Sequence, residues 1–303
     1  MFDYSYTVAY ISAKETSILS KDALSRMAAD KSDAPRMLAQ SGYGGGDSTD
    51  ISALTDRELS ELRGFIMGCM PAPMYSLLIL PYDAHNLKVL LKCRINKADP
   101  APYLYDNTVY DTEIAAACCR GGEFSLLSDN IAKILNPAYD SDLLNLPFGI
   151  STEVDRAFYT EISEQAKSAP EEIAAYIKAE VDGKNFMSYF RAKNVGLDTS
   201  ALSSLLLPGG SVDPAILSAA YAAGADELRP YTFGFDAHDA FVSAAEAIKR
   251  SPSEACDVLD KYAISKLEPY KYEPQSPVPI FLYFKKKTAE ARHIREYFGG
   301  GAL

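Results

Sequence analysis

The sequence predicts an all-α protein. Apolar residues recur at helical spacing along most of the 303 residues. Polar–apolar alternation typical of strands is almost missing, and the one Asp-Gly pair, Asp182-Gly183, lies between helical patterns. Hydrophobic residues make up 48% of the chain and charged residues 23%, which is typical of a globular protein with enough apolar material for cores.

The net charge, the cysteines and the lack of long apolar runs argue against several classes of protein. The formal net charge of −11 argues against general nucleic-acid binding, which needs basic surfaces that displace counterions. The five cysteines form no C-x-x-C pair, and the start of the chain lacks the pattern of a signal peptide. No apolar run reaches the length of a membrane-spanning helix. We therefore expect a cytoplasmic protein with reduced thiols.

The first third of the chain predicts four helical regions. One or two helices are expected within 4–29, and Asp33 is expected to cap a short helix that ends at the glycine-rich turn 42–46. Thr55 and Glu58 have the spacing of a capping box and predict the start of the next helix. A further helix is expected to start at Pro81, with Asp83 as its N-cap.

That last helix carries a motif that recurs. Asp83 is followed by Asn86, Lys88 and a basic tail, and the sequence from Asp182 repeats the acid, the Asn three residues later and the basic tail. A weaker third copy has Glu290, His293 and Arg295. The copies lie about 100 residues apart, the size of a small domain. The repeat predicts three related helical subdomains, 1–112, 113–212 and 213–303.

The remaining helices follow from capping and turn residues. Short helices are expected within 103–150, and Gly183 is expected to kink or break the helical pattern that leads into the second motif. Asp213-Pro214 predicts a helix start. The other predicted helices cover 153–167, 170–181, 237–249, 253–267 and a final helix closed by glycines 299–301.

The sequence lacks a recognisable catalytic or metal-binding pattern. The glycine-rich turn has no following basic residue and hydroxyl, so it does not predict a phosphate-binding loop. His85, His238 and His293 are isolated, and packing or capping explains them more simply than metal binding. Asn86 and Asn185 are expected to lock one helix against the next through backbone carbonyls. We predict no catalytic, cofactor or metal residues.

The motifs resemble those of the C subunit of the prokaryotic A/V-type ATP synthase, a family that includes the d subunit of the eukaryotic vacuolar ATPase. The resemblance rests on 83–88, on 182–193 with the following 205–210, and on the weaker C-terminal copy. Tyr6-Thr7-Val8-Ala9 and Tyr43-Gly44 match a similar start. The family motif residues are Asp83, Asn86, Lys88, Asp182, Asn185, Arg191, Lys193, Glu290, His293 and Arg295.

This resemblance implies three helical subdomains in a funnel with a pseudo-threefold axis. It also implies a non-catalytic central-stalk protein without a cofactor. Such a protein would sit on the cytoplasmic face of the membrane and link the D and F subunits of the central shaft to the proteolipid rotor ring that moves H⁺ or Na⁺. The resemblance also implies a polar central socket that receives the shaft, and the acidic net charge suggests that this socket suits a basic shaft tip. His293, where the family usually has Asn, and Tyr10–Ala13, where basic residues are common, depart from the family pattern.

Two alternatives remain open from the residues alone. An α-helical hydrolase could use Asp83 and Asp182, in which case the two carboxylates should converge on one pocket. A helical scaffold with unrelated partners is the second alternative.

Overall fold

The computed structural model describes residues 3–28, 34–43, 50–225 and 228–298. These residues form helices, turns and loops without a strand, which confirms the predicted all-α class. The helices are α1 (Ser5–Glu15), α2 (Lys21–Met27), α3 (Ala34–Gln40), α4 (Ile51–Cys69), α5 (Ala72–Asn96), α6 (Thr112–Gly121), α7 (Asp129–Asp140), α8 (Pro147–Ala166), α9 (Glu171–Val195), α10 (Thr199–Leu205), α11 (Pro214–Ala222), α12 (Arg229–Thr232), α13 (His238–Ala247), α14 (Pro252–Ser265) and α15 (Val278–Phe298).

The chain divides into two compact units. One consists of Met1–Tyr75 with Glu268–Leu303, and the other of Ser76–Leu267. In the first unit, α15 packs against α1, α2 and α4. In the second, α7 packs on α8 and α14 packs on both α9 and α13. The predicted division into three subdomains, and their funnel arrangement, remain predictions.

A hydrophobic core of the second unit is built around α9. Phe186 and Tyr189 of α9 are fully buried there, and Phe186 contacts Phe241 of α13 with 5.0 Å between ring centroids. Small residues on the neighbouring helices, among them Ala244 and Ala255, allow close approach to these rings. α9 therefore forms the centre around which α11, α13 and α14 pack.

The first and second motifs lie inside long helices, and the predicted helix start at Pro81 was wrong. α5 runs without interruption through Pro81, so Asp83 is an interior residue rather than an N-cap. The predicted break at Gly183 was also wrong, because α9 is continuous. A Cβ on Gly183 would lie 3.3 Å from the Cβ of Leu259 on α14. Gly183 therefore serves the close approach of two helices.

The capping-box prediction at Thr55 was also wrong. α4 begins at Ile51, and its N-cap is Asp50, which accepts hydrogen bonds from Ser52 N and Ala53 N. The hydroxyl of Thr55 instead donates back to the carbonyl of Ile51. Asp50 satisfies the free first-turn amides at a position several residues earlier than predicted.

Most other helix predictions are confirmed within a few residues. Asp213 caps α11 with Pro214 in the first turn, as predicted. The short helices within 103–150 and the helices predicted near 237–249 and 253–267 are present as well. The proposed Asp33 cap, the glycines 44–46 and the terminal glycines 299–301 lie outside the described residues.

Candidate functional site: the acid and amide motifs

The first motif binds the backbone of the segment that follows its own helix. The Asp83 carboxylate accepts from Val109 N at 3.0 Å and from Tyr110 N at 2.8 Å. Asn86 pairs twice with Tyr105: its Nδ2 donates to the carbonyl at 2.8 Å, and its Oδ1 accepts from the backbone N–H at 2.8 Å. Both motif side chains are buried. They give the turns of residues 105–110 the hydrogen-bond partners that these residues would otherwise take from water.

The second motif repeats this arrangement. The Asp182 carboxylate accepts from Val212 N at 3.0 Å and from the Ser211 hydroxyl at 2.5 Å. Asn185 pairs with Leu207 in both directions, donating to its carbonyl at 2.9 Å and accepting from its N–H at 2.7 Å. Asp182 and Asn185 are fully buried. The second motif is the more enclosed of the two.

Gly210 is required by this arrangement. A Cβ on Gly210 would collide with the Oδ1 atom of Asp182, and it would also meet the side chain of Val181. The backbone can approach the carboxylate this closely only because residue 210 has no side chain.

The basic tails of the two motif helices also contact carbonyls downstream. Arg94 donates from Nη1 to the carbonyl of Cys119, near the end of α6, at 2.5 Å. Lys193 donates from Nζ to the carbonyl of Ala225, just after α11, at 2.6 Å. Cations at these positions complement the negative ends of the α6 and α11 dipoles.

The third motif lies in the other compact unit and uses a longer acid. Oε1 of Glu290 accepts from Leu19 N at 2.6 Å, and Oε2 accepts from the Tyr43 hydroxyl at 2.5 Å. Lys287 lies between two carboxylates, with its Nζ 2.7 Å from Glu290 and 3.1 Å from Glu58. Burial and the adjacent carboxylate of Glu290 raise the pKa of Tyr43, so that this phenol remains neutral.

The other predicted residues contribute more peripheral contacts. Lys88 forms an ion pair with Asp155 of α8 at 2.7 Å. Arg295 donates to the Thr55 hydroxyl at 2.7 Å and to Asp56 at 2.8 Å. Arg191 is exposed on α9, and His293 is half-buried on α15.

His85 and a small cavity beside the first motif do not form a site suited to catalysis or metal binding. Burial lowers the pKa of His85, whose Nε2 lies 3.0 Å from the carbonyl of Tyr103. A cavity of about 10 Å³ lies beside Asp83, Asn86 and Tyr110, which is room for roughly one water molecule. Asp182 does not line this cavity. Within the described ranges, no group of three or more His, Cys, Asp or Glu side chains is arranged to hold a metal ion.

The buried carboxylate of Asp182 predicts a pH-dependent contribution to stability. Burial raises the pKa of Asp182 above its ordinary value, although its hydrogen bonds act in the opposite direction. Just above the ordinary pKa of about 4, the folded state therefore binds more protons than the unfolded state, and this contribution falls as pH rises. We expect the unfolding free energy of wild type, minus that of Asp182→Asn, to fall as pH rises from about 4. Urea titrations at several pH values test this, and a difference that is constant or rises with pH would contradict it.

Sequence reasoning missed Arg94, Tyr43 and Lys287 as members of these networks. Arg94 had a usable signal, since it follows Asp83 by the same interval at which Lys193 follows Asp182. The resemblance marked Tyr43, but nothing in the sequence paired Tyr43 with Lys287, because they meet across more than 240 residues of chain.

The comparisons with known proteins agree with the resemblance in the motifs. The family model described as ATP synthase (C/AC39) subunit matches residues 7–296. A Pyrococcus horikoshii protein, named as the C subunit of an A-type ATP synthase, is 20% identical, covering 96% of this chain and 85% of the relative. Its Methanosarcina acetivorans namesake is 27% identical, covering 98% of this chain and 89% of the relative. No described helix is long and apolar enough to cross a membrane. The chain belongs to the ATP synthase (C/AC39) subunit family.

Proposed function

We propose that this protein is a non-catalytic component of the central stalk of an A/V-type rotary ATPase, where it couples the rotating shaft to the membrane proteolipid ring. The observation that carries the proposal is the family match over nearly the whole chain, shared with relatives named as C subunits of A-type ATP synthases. The proposed partners are the D and F subunits of the shaft on one side and the proteolipid ring on the other. The protein would work at the cytoplasmic face of the membrane, with its helices arranged as a three-subdomain funnel.

The motif geometry supports an architectural role for the two aspartates. Each carboxylate accepts from backbone N–H groups of its own downstream segment. A catalytic acid or base needs a proton-transfer partner in a cleft that substrate can enter. The cavity beside Asp83 admits only about one water molecule, and Asp182 does not line it. These contacts favour the coupler over the hydrolase alternative.

Co-purification from host membranes tests the proposed function. The tagged chain is captured from detergent-solubilised membranes under conditions that keep the rotary ATPase intact, and the bound chains are identified by mass. We expect the proteolipid and the D and F subunits to be recovered. An unrelated tagged protein of similar negative charge is the control for non-specific capture. Recovery of the chain alone would contradict the coupler and favour a scaffold with other partners.

The salt dependence of shaft binding gives a second readout. Because the chain carries a net charge of −11, we expect its affinity for the isolated D and F subunits to fall between low and high salt. Binding of the purified components at several salt concentrations measures this. A salt-independent affinity would contradict the hypothesis that an acidic socket binds a basic shaft tip, and it would leave the proposed coupling function standing.

A further inference from the structure

The two complete motifs hold equivalent stretches of chain in the same register. The stretches 105–110 and 207–212 each contain six residues. In both, the first residue pairs with the motif Asn, and the last donates its N–H to the motif Asp. The third residue of each has a positive φ, at Asn107 (54°) and Gly209 (94°). Two segments with different sequences therefore share hydrogen-bond partners and a left-handed residue at equivalent positions.

The residue after each stretch is the N-cap of the next helix. Asp111 caps α6 by accepting from two first-turn amides, and Asp213 caps α11 by accepting from one. The basic tail of the motif helix then contacts a carbonyl near the end of α6, through Arg94, and one just after α11, through Lys193. Each motif helix is thus tied to the helix that follows its stretch, at the start of that helix and at or just beyond its end.

In the third motif, the acid again accepts from the residue directly before an N-cap. Glu290 accepts from Leu19 N, and the next residue, Ser20, is the N-cap of α2. The segment that Glu290 holds lies near the N-terminus, so α2 takes the place that α6 and α11 take in the other copies. All three acids therefore bind the residue directly before an N-cap.

We infer that each motif is a clasp that makes the connection to its partner helix rigid, and that this rigidity is what lets the protein transmit torque. The inference rests on the proposed function and assigns a positioning role to Asp83, Asn86, Asp182, Asn185 and Glu290. Turns held only by hydrogen bonds to water yield readily under load, because little buried contact is lost. In a clasp, several buried hydrogen bonds must break together before the connection can bend.

Hydrogen exchange in the isolated chain tests the clasp itself. Asn86→Ala removes both hydrogen bonds to Tyr105, and Asn96→Ala, an exposed position on the same helix, is the matched control. We expect amide exchange within 105–110 to accelerate by roughly tenfold or more in Asn86→Ala. Exchange in the rest of the second unit should change little. Unchanged exchange at 105–110 would overturn the clasp.

Coupling in the assembled rotary complex tests the torque role. We expect complexes with Asn86→Ala to hydrolyse ATP but to move fewer ions per ATP than complexes with wild type or Asn96→Ala. A general loss of stability would instead lower the amount of chain in the complex and leave the ratio unchanged, and that result would overturn the torque role. Faster exchange at 105–110 with a wild-type ratio would do the same. A wild-type chain that fails to enter the complex would overturn the proposed function and the torque role, while the exchange experiment would still decide the clasp.

Discussion

Lys287→Met is expected to lower the free energy of unfolding of the first unit by about 3–5 kcal/mol. The Lys287 side chain is 6% exposed and that of Glu290 only 1%, and their charged atoms are 2.7 Å apart. The substitution leaves the Glu290 carboxylate buried without its cation. Urea unfolding followed by circular dichroism measures the loss.

Two further variants make this prediction specific. Lys286→Met, on the same helix, removes a half-exposed ion pair with Glu15 and should cost no more than about 1 kcal/mol. Adding Glu290→Gln to Lys287→Met removes the uncompensated charge and should restore part of the loss. A loss of similar size in both lysine variants would show that burial of the pair is unimportant.

Asn185→Ala is expected to destabilise the second unit by about 2–6 kcal/mol, since two buried backbone groups of Leu207 lose their partner together. Each unsatisfied buried group costs about 1–3 kcal/mol. The matched control is Asn194→Ala, an exposed position on the same helix, which should stay within about 0.5 kcal/mol of wild type. Thermal unfolding of both variants is the measurement. A melting temperature of Asn185→Ala within about a degree of wild type would contradict the role of this amide.

Helix boundaries were predictable where local chemistry decides them. Asp213 and Pro214 fix the start of α11 through a side-chain cap and a preset φ, and both effects act within a few residues. At Pro81 the same local rules gave the wrong result. α5 is buried on several sides there, with Leu77 to Leu80 nearly inaccessible, so tertiary packing stabilises a helix that a proline would otherwise end.

The motif was visible in the sequence, but its partners were not. Acid, amide and basic tail recur at fixed spacing, and that recurrence marked Asp83, Asn86, Asp182 and Asn185. Their hydrogen-bond partners lie 19–30 residues downstream. An Asp before an apolar run has the same local pattern whether it caps its own helix or reaches another segment. Only the folded backbone separates these two roles.

Gly209 and Gly210 decide whether the stretch 105–110 could replace the stretch 207–212. Where 207–212 has Gly209 and Gly210, 105–110 has Asn107 and Thr108. A Cβ at Gly209 would strike the Ser163 side chain, and one at Gly210 would strike Asp182. A chimera with the first stretch grafted into the second position would therefore force two side chains into occupied space. Although the two motifs hold their stretches in one hydrogen-bonding register, the sequences of 105–110 and 207–212 are therefore not interchangeable.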